Sequence, residues 1–153
     1  VEIVFKPAAA ADAETLLPLV REFYDFEHLA FDEGDAREAL RQILADARLG
    51  RIWLIRSGSE AVGYLVLTFG FSLEFKGRDA FVDELFLRAE FRGQGLGTRA
   101  LQVAEEACRA EGVRALHLEV DHANTAAQEV YRRFGFKDHD RYLLTKWIEP
   151  RTN

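Results

Sequence analysis

The run Arg92-Gly93-Gln94-Gly95-Leu96-Gly97 restricts the fold of this chain more than any other segment. Three alternate glycines are not there to pack a core. They permit backbone angles closed to other residues and let a ligand approach the main chain. The stretch before them, Phe81–Leu87, reads as a strand. The stretch after them, from about Gly95 to Glu111, has helical spacing, with Leu96, Ala100, Leu101, Ala104, Ala107 and Cys108 inward and Gly112 as its stop. Ala115–Val120 reads as the next strand. Strand, helix and strand joined in this way predict a right-handed parallel crossover. The first N–H groups of the helix have no intrahelical partner and sit at the positive end of its dipole. Such a turn can cradle a pyrophosphate, with Arg92 adding a charge-assisted contact. The spacing is neither the G-x-G-x-x-G that follows a first strand nor the G-K-[ST] of a Walker loop. A plain flexible turn is the alternative.

The rest of the chain supplies a sheet for this unit to join. Ile3–Lys6 reads as a strand closed by Pro7. Asp12 is placed to cap a helix running to about Phe26, with Pro18 expected to kink or shorten it. A second helix follows Gly34-Asp35, with Leu40, Ile43, Leu44 and Ala47 as its stripe and Gly50 as its stop. Arg51–Arg56 and Ala61–Phe71 predict an antiparallel hairpin around Ser57–Glu60, and Gly77-Arg78-Asp79 a further turn. Asn124–Phe134 predicts a short helix ended by Gly135, and Tyr142–Ile148 a last strand. The expected fold is α/β in the α+β sense: a mixed, mostly antiparallel twisted sheet with helices on both faces, in the order βααβββαβαββ. A chain of 153 residues without an internal linker suits one domain, and that length buries roughly 68–70% of its unfolded surface.

Composition excludes several functions. The formal charge of -6 lacks the basic footprint of a nucleic-acid binder and suits a cationic small molecule. One cysteine, Cys108, forbids an intramolecular disulfide or a multi-cysteine zinc site. No metal-ligand spacing links His28, His122 and His139, so no metal is expected. No apolar run approaches the ~20 residues of a membrane span, so no membrane partner is expected and the cytoplasm is the simplest location.

A second pattern lies at Asn124-Thr125-Ala126-Ala127-Gln128-Glu129-Val130-Tyr131. Thr125 and Gln128 have the spacing of a capping box. Asn124, Ala127 and Tyr131 share one helix face, where a small residue between an amide and a phenol suits a ligand lying across it. The plain alternative is that Tyr131 is a core aromatic. Asp83 and Glu84 are adjacent, so a regular strand would point them to opposite faces, and at least one must meet a wet cleft.

The two motifs together resemble the GNAT superfamily of acetyl-CoA-dependent N-acetyltransferases, over nearly the whole chain from Lys6-Pro7 to about Ile148. The nearest branch is that of the spermidine/spermine N-acetyltransferases, although Asp83 stands where that branch has Glu and Leu85 where it has an aromatic. The resemblance implies that Leu85, Phe86 and Leu87 pair with the pantetheine arm of acetyl-CoA. Arg92, Gly93, Gln94, Gly95, Leu96, Gly97 and Thr98 would hold the pyrophosphate. Asn124 and Ala127 would face the co-substrate, Tyr131 would be the general acid, and Phe26 and Glu27 would line the acceptor site. Glu119, which shares a strand face with His117, is a further acceptor-site candidate.

Chemistry supports these roles independently. An alkyl ammonium with pKa near ~10 must lose a proton before it attacks a thioester, and Asp83 or Glu84, directly or through water, can take it. A departing thiolate of pKa ~8.5 can take a proton from a phenol of ~10. The expected activity is therefore acetyl transfer from acetyl-CoA to a primary amine of a small cation, by direct attack in a ternary complex. Acetylation of a protein N-terminus or lysine, and a non-catalytic acetyl-CoA-binding domain, are the alternatives. Pairing of two copies into a homodimer is left open.

Overall fold

Long apolar alternations in the middle of the chain form the frame on which everything else is hung. In the structure, a computed structural model describing residues 2–151, these become β2 (Gly50–Ser57), β3 (Glu60–Ser72) and β4 (Gly77–Leu87). With β1 (Ile3–Pro7) and β5 (Ala115–His117) they make one five-stranded sheet in the order β1-β2-β3-β4-β5. The pairs β1–β2, β2–β3 and β3–β4 are antiparallel, and β4–β5 is parallel. Helices α1 (Ala13–Phe26) and α2 (Glu33–Ala45) cover one face, with Leu16, Leu19, Leu54 and Tyr64 buried between. Helix α3 (Leu96–Ala110) covers the other, burying Leu65, Leu67, Ala80, Ala100 and Ala104. Each fully buried Leu contributes on the order of 1.5–3 kcal/mol, so these two seams hold the sheet between its layers. A last helix, α4 (Thr125–Phe134), follows β5.

Several local details differ from the sequence reading. Asp12 does not cap α1; its carboxylate accepts the Ala9 N–H at 2.8 Å and closes a preceding 3-10 turn. Helix α1 runs unbroken through Pro18, which lies on the solvent side where water can meet the carbonyl left without a donor. Gly50 opens β2 rather than ending α2, because a Cβ there would stand 2.2 Å from the Leu67 carbonyl oxygen. The β3–β4 turn is residues 73–76, so Gly77 already belongs to β4. The cap of α4 is Asn124, whose Oδ1 accepts the Ala127 N–H at 3.2 Å, and Gln128 donates instead to the Asp121 and His122 carbonyls.

Two differences concern the strands themselves. β5 leaves the ladder after His117, so Leu118–Val120 is not paired. The cause lies in β4, where Val66 opposes Glu84 but Leu67 opposes Val82, leaving Asp83 as the extra residue of a β-bulge. A bulge bends its strand and raises its twist, so a neighbouring parallel strand cannot follow it. The closing strand expected at Tyr142–Ile148 is also missing. Among the described residues the order is βααβββαβα, because residues 142–148 lie exposed and meet no strand that could supply the other half of a ladder.

Candidate active site

The same bulge builds the site. Parallel pairing joins Asp79–Phe81 to Ala115–His117 and then stops, so β4 and β5 part from Val82 onward. This leaves a split at the carboxyl ends of two parallel strands, the position at which open sheets bind ligands. Val82 and Leu85 pack on the α3 side of the sheet, whereas Phe86 packs among the residues of α1. Alternation from Val82 turns Asp83 toward α1, and the bulge keeps Glu84 on that side too. The adjacent carboxylates therefore do not point to opposite faces, as a regular strand would require.

Glu84 is held from two elements. Tyr24 of α1 donates its hydroxyl to one carboxylate oxygen at 2.6 Å, and Tyr64 of β3 donates to the other at 2.8 Å. Rings of Phe23 and Phe86 pack around this clamp, with centroids 5.7 Å apart. Burial pushes the Glu84 pKa up, the two tyrosine hydroxyls pull it down, and the Asp83 charge pushes it up again; the net direction is upward. Asp83 is raised by desolvation. Burial first, and then the carboxylate neighbours, hold both phenols far above their ordinary range, so Tyr24 and Tyr64 stay protonated donors. Neither tyrosine was singled out in the sequence. The available signal was that a phenol inside an apolar stretch needs a hydroxyl partner, and that Asp83-Glu84 is the acid nearest in the sheet.

At the end of β4 the glycine turn takes the expected form. Gly93 and Gly95 have φ of 73° and 79°, and Gly95 is the N-cap of α3 with no side-chain cap. The Arg99 N–H makes the first bond into the helix, to the Gly95 carbonyl, and no partner is found for the N–H groups from Gly93 through Thr98 among the described residues. A Cβ at Gly97 would meet no protein atom within 4 Å, and the φ of Gly97 is not in the left-handed region. Neither packing nor strain explains that glycine, so open space above the first turn of the helix does. Free donors, a positive helix end and room for a chain to approach fit a pyrophosphate. Arg92 has another task here: it donates to the Leu87 carbonyl at 2.8 Å and lies 4.4 Å over the Phe26 ring, bracing the end of β4 against α1.

Across the split, Tyr131 of α4 is half-buried. Burial and then the nearby charge of Glu27, at the end of α1, push its phenol up. Glu119 is exposed on the unpaired run after β5. His117 of the same strand face contacts Asp79 at 3.2 Å and packs against Phe75 and Phe81, a satisfied structural histidine. No hydrogen bond joins Tyr131 to Asp83 or Glu84 among the described residues. The acidic run on α1 and α2 is largely spent on structure, with Glu22 on Arg88, Glu33 on Arg21, Glu38 on Arg41 and Asp32 capping α2. Cys108 is buried and its thiol is pushed up to about 11, which suits inert packing. No cluster of three or more His, Cys, Asp or Glu that could hold a metal occurs among the described residues. No helix among them is long and apolar enough to cross a membrane.

Comparison with known proteins agrees with this geometry. The sequence profile of the acetyltransferase (GNAT) family matches residues 17–136. Thialysine N-epsilon-acetyltransferase of Bos taurus is 26% identical over 145 residues, covering 89% of this chain and 85% of its own. L-methionine sulfoximine/L-methionine sulfone acetyltransferase of Pseudomonas paraeruginosa is 27% identical over 135 residues, covering 86% and 78%. The crystal structure of an integron cassette protein from the mobile metagenome of Cole Harbour salt marsh superposes with a TM-score of 0.84 at 41% identity, covering 95% of this chain and 91% of that one.

Proposed function

The chain belongs to the acetyltransferase (GNAT) family and is an acetyl-CoA-dependent N-acetyltransferase, and from that premise we propose that it acetylates the primary amine of a small cation by direct attack in a ternary complex. The observation that carries this reading is Glu84, an ionisable group clamped by two tyrosines beside the split between β4 and β5. Relatives named for thialysine and methionine sulfoximine support an acceptor of that size. Acetyl-CoA supplies a thioester already activated toward amines. All other tasks fall to the residues of the chain.

The N–H groups from Gly93 to Thr98 hold the pyrophosphate, and Leu85, Phe86 and Leu87 offer the free edge of β4 to the pantetheine arm. Asn124 and Ala127 face it from α4. Asp83 and Glu27 supply negative charge for a cationic acceptor, with Phe26 and Glu119 bordering its approach. Glu84 takes the proton that the ammonium must lose, directly or through a water. Its raised pKa makes it a better base than an ordinary carboxylate. Tyr24 and Tyr64 hold both its oxygens, so its geometry is set before the acceptor arrives. Tyr131, protonated through neutral pH, gives a proton to the departing thiolate. The whole chain acts as one catalytic domain, and its lone reduced cysteine suits the cytosol.

The test is thiol release from acetyl-CoA with a panel of diamines, amino acids, neutral amines and peptides. Small cationic amines should be turned over best. Saturable acetyl-CoA binding with no thiol released on any acceptor would leave a binding domain, and turnover of peptides alone would leave a protein acetyltransferase. Glu84→Gln should lower the rate about 10²–10⁴-fold and abolish the acidic limb of the pH–rate profile. The same variant should melt higher at pH 7. A carboxyl whose folded pKa is raised stabilises the fold only while protonated, and that contribution is lost as pH climbs through the raised value. A variant as active as the parent, or with an intact acidic limb, would remove Glu84 from the mechanism.

A further inference from the structure

The two tyrosines that hold Glu84 differ in what else can reach them. Tyr64 is 0% exposed, and its ring packs against Phe23 and Phe86 with centroids 6.2 and 6.1 Å away. Tyr24, on α1, is only half-buried. A phenol has one hydrogen to give and keeps lone pairs with which to accept. The Tyr24 hydrogen goes to Glu84 at 2.6 Å, and no donor among the described residues meets its oxygen. Its ring is fixed edge-on by Phe23 at 5.9 Å and Phe31 at 6.0 Å.

Position along α1 gives this free oxygen its meaning. Glu27, which caps the helix, follows Tyr24 at i+3, so the two share one face. The charge of Glu27 is near enough to push up the Tyr131 phenol of α4, so that face looks across the split. Asp83 also acts on the Tyr24 hydroxyl, as Glu84 does more strongly. A cation drawn in by Asp83 and Glu27 therefore arrives beside Tyr24. The hydroxyl of Tyr24 stands on the way from that cation to the carboxylate of Glu84, and the hydroxyl of Tyr64 stands behind it.

We propose that Tyr24 is a catalytic residue, relaying the proton of the bound ammonium to Glu84. The assignment rests on the reading of Glu84 as the base and names the route by which the proton reaches it. An ammonium N–H donates to a free lone pair of the Tyr24 oxygen. As that N–H bond breaks and a new O–H bond forms, the original O–H bond of Tyr24 breaks and its hydrogen crosses the 2.6 Å to Oε2 of Glu84. The nitrogen keeps its electron pair and becomes the nucleophile. Glu84 ends as a neutral carboxylic acid, and Tyr24 ends as the phenol it was at the start. Both transfers move together, because burial and the two carboxylates make a separate tyrosinate costly. Tyr64 makes the same bond without access to the acceptor, so it holds Glu84 and relays nothing. Once the product has left, the proton passes from Glu84 through Tyr24 to water.

The experiment compares Tyr24→Phe with Tyr64→Phe in the full chain; each keeps its ring, and a cooperative melt checks the fold. The acceptor is the amine turned over fastest in the thiol-release panel, and kcat is read across pH with both substrates saturating. Each hydroxyl pulls the Glu84 pKa down, so both variants should move the acidic limb to higher pH. On the plateau above that limb, Tyr24→Phe should lose roughly 10²-fold in kcat, the low end for a proton-transfer group. Tyr64→Phe should lose about 10-fold or less, the effect of one holding hydrogen bond. In a Glu84→Gln background Tyr24→Phe should cost nothing further, because the relay has lost its far end. Equal plateau losses in the two variants, a loss confined to the acceptor KM, or a full further loss in the Glu84→Gln background would each overturn the relay. If Glu84→Gln is slow while Tyr24→Phe turns over like the parent, the relay falls and Glu84 remains the base. If Glu84→Gln matches the parent, the base falls and the relay with it.

Discussion

Helices α3 and α4 start at the same end of the sheet, after two neighbouring parallel strands, and offer opposite things to a ligand. Helix α3 begins at Gly95 in the left-handed region with no side-chain cap, so its first N–H groups stay free. Helix α4 begins at Asn124, whose side chain takes the Ala127 N–H for itself, and Gln128 ties back to the loop. One helix presents its backbone and the other its side-chain face. They also differ in footing. Helix α3 buries Leu96, Ala100, Leu101, Ala104 and Cys108, whereas α4 buries nothing. The free start of α3 is thus anchored in the core by its own helix, whereas α4, which carries Tyr131, rests on half-covered residues. Capping chemistry, decided by one residue, determines whether a helix start is an anion site or merely a sealed end.

The sharpest way to break this contrast is Tyr131→Phe, which keeps the ring and deletes the one group α4 is asked to contribute. The rate should fall roughly 10²–10⁴-fold, the loss typical of a general acid, with little change in acetyl-CoA affinity. The alkaline limb of the pH–rate profile should vanish with the phenol, whose pKa burial and the Glu27 charge push up. Parental turnover would make Tyr131 a packing residue and leave α4 without a chemical task.

A smaller effect tests α3. Gly97→Val adds a side chain into space that no protein atom occupies, so the fold should be spared. Acetyl-CoA affinity by calorimetry should drop roughly 10- to 100-fold, matching the ~1.5–3 kcal/mol of one lost hydrogen bond to a charged group. Unchanged affinity would place the pyrophosphate elsewhere. The smallest effect belongs to the sealed helix end. Asn124→Ala should cost about 1 kcal/mol of stability in a denaturant melt, the usual loss for an N-cap. No change in stability would mean that the cap is not holding α4.

How much of this was readable depended on how local each feature is. The glycine turn, α3 and its stop at Gly112 follow from residues within a few positions of one another, and all three are present. The N-caps of α1 and α4 were misplaced by a residue or served other turns, because several Asp, Asn and Thr residues compete to cap each end. The shared face of Asp83 and Glu84 could not be read at all. It depends on where Val66 and Leu67 fall opposite them, and nothing in the two acidic residues specifies that register.

The sequence by itself determined the family, the run of elements up to α4, the glycine turn before α3 and the placing of Asn124, Ala127 and Tyr131 along one helix, because backbone angles, capping and helical period act over a few residues. Tertiary structure alone decided the bulge at Asp83, the parting of β4 from β5 and the clamp of Tyr24 and Tyr64 on Glu84, and it alone left residues 142–148 without a strand partner among the described residues. Those features arise where strands distant in sequence must share one ladder and where a buried carboxylate must find donors. Such partners exist only after the chain has closed on itself.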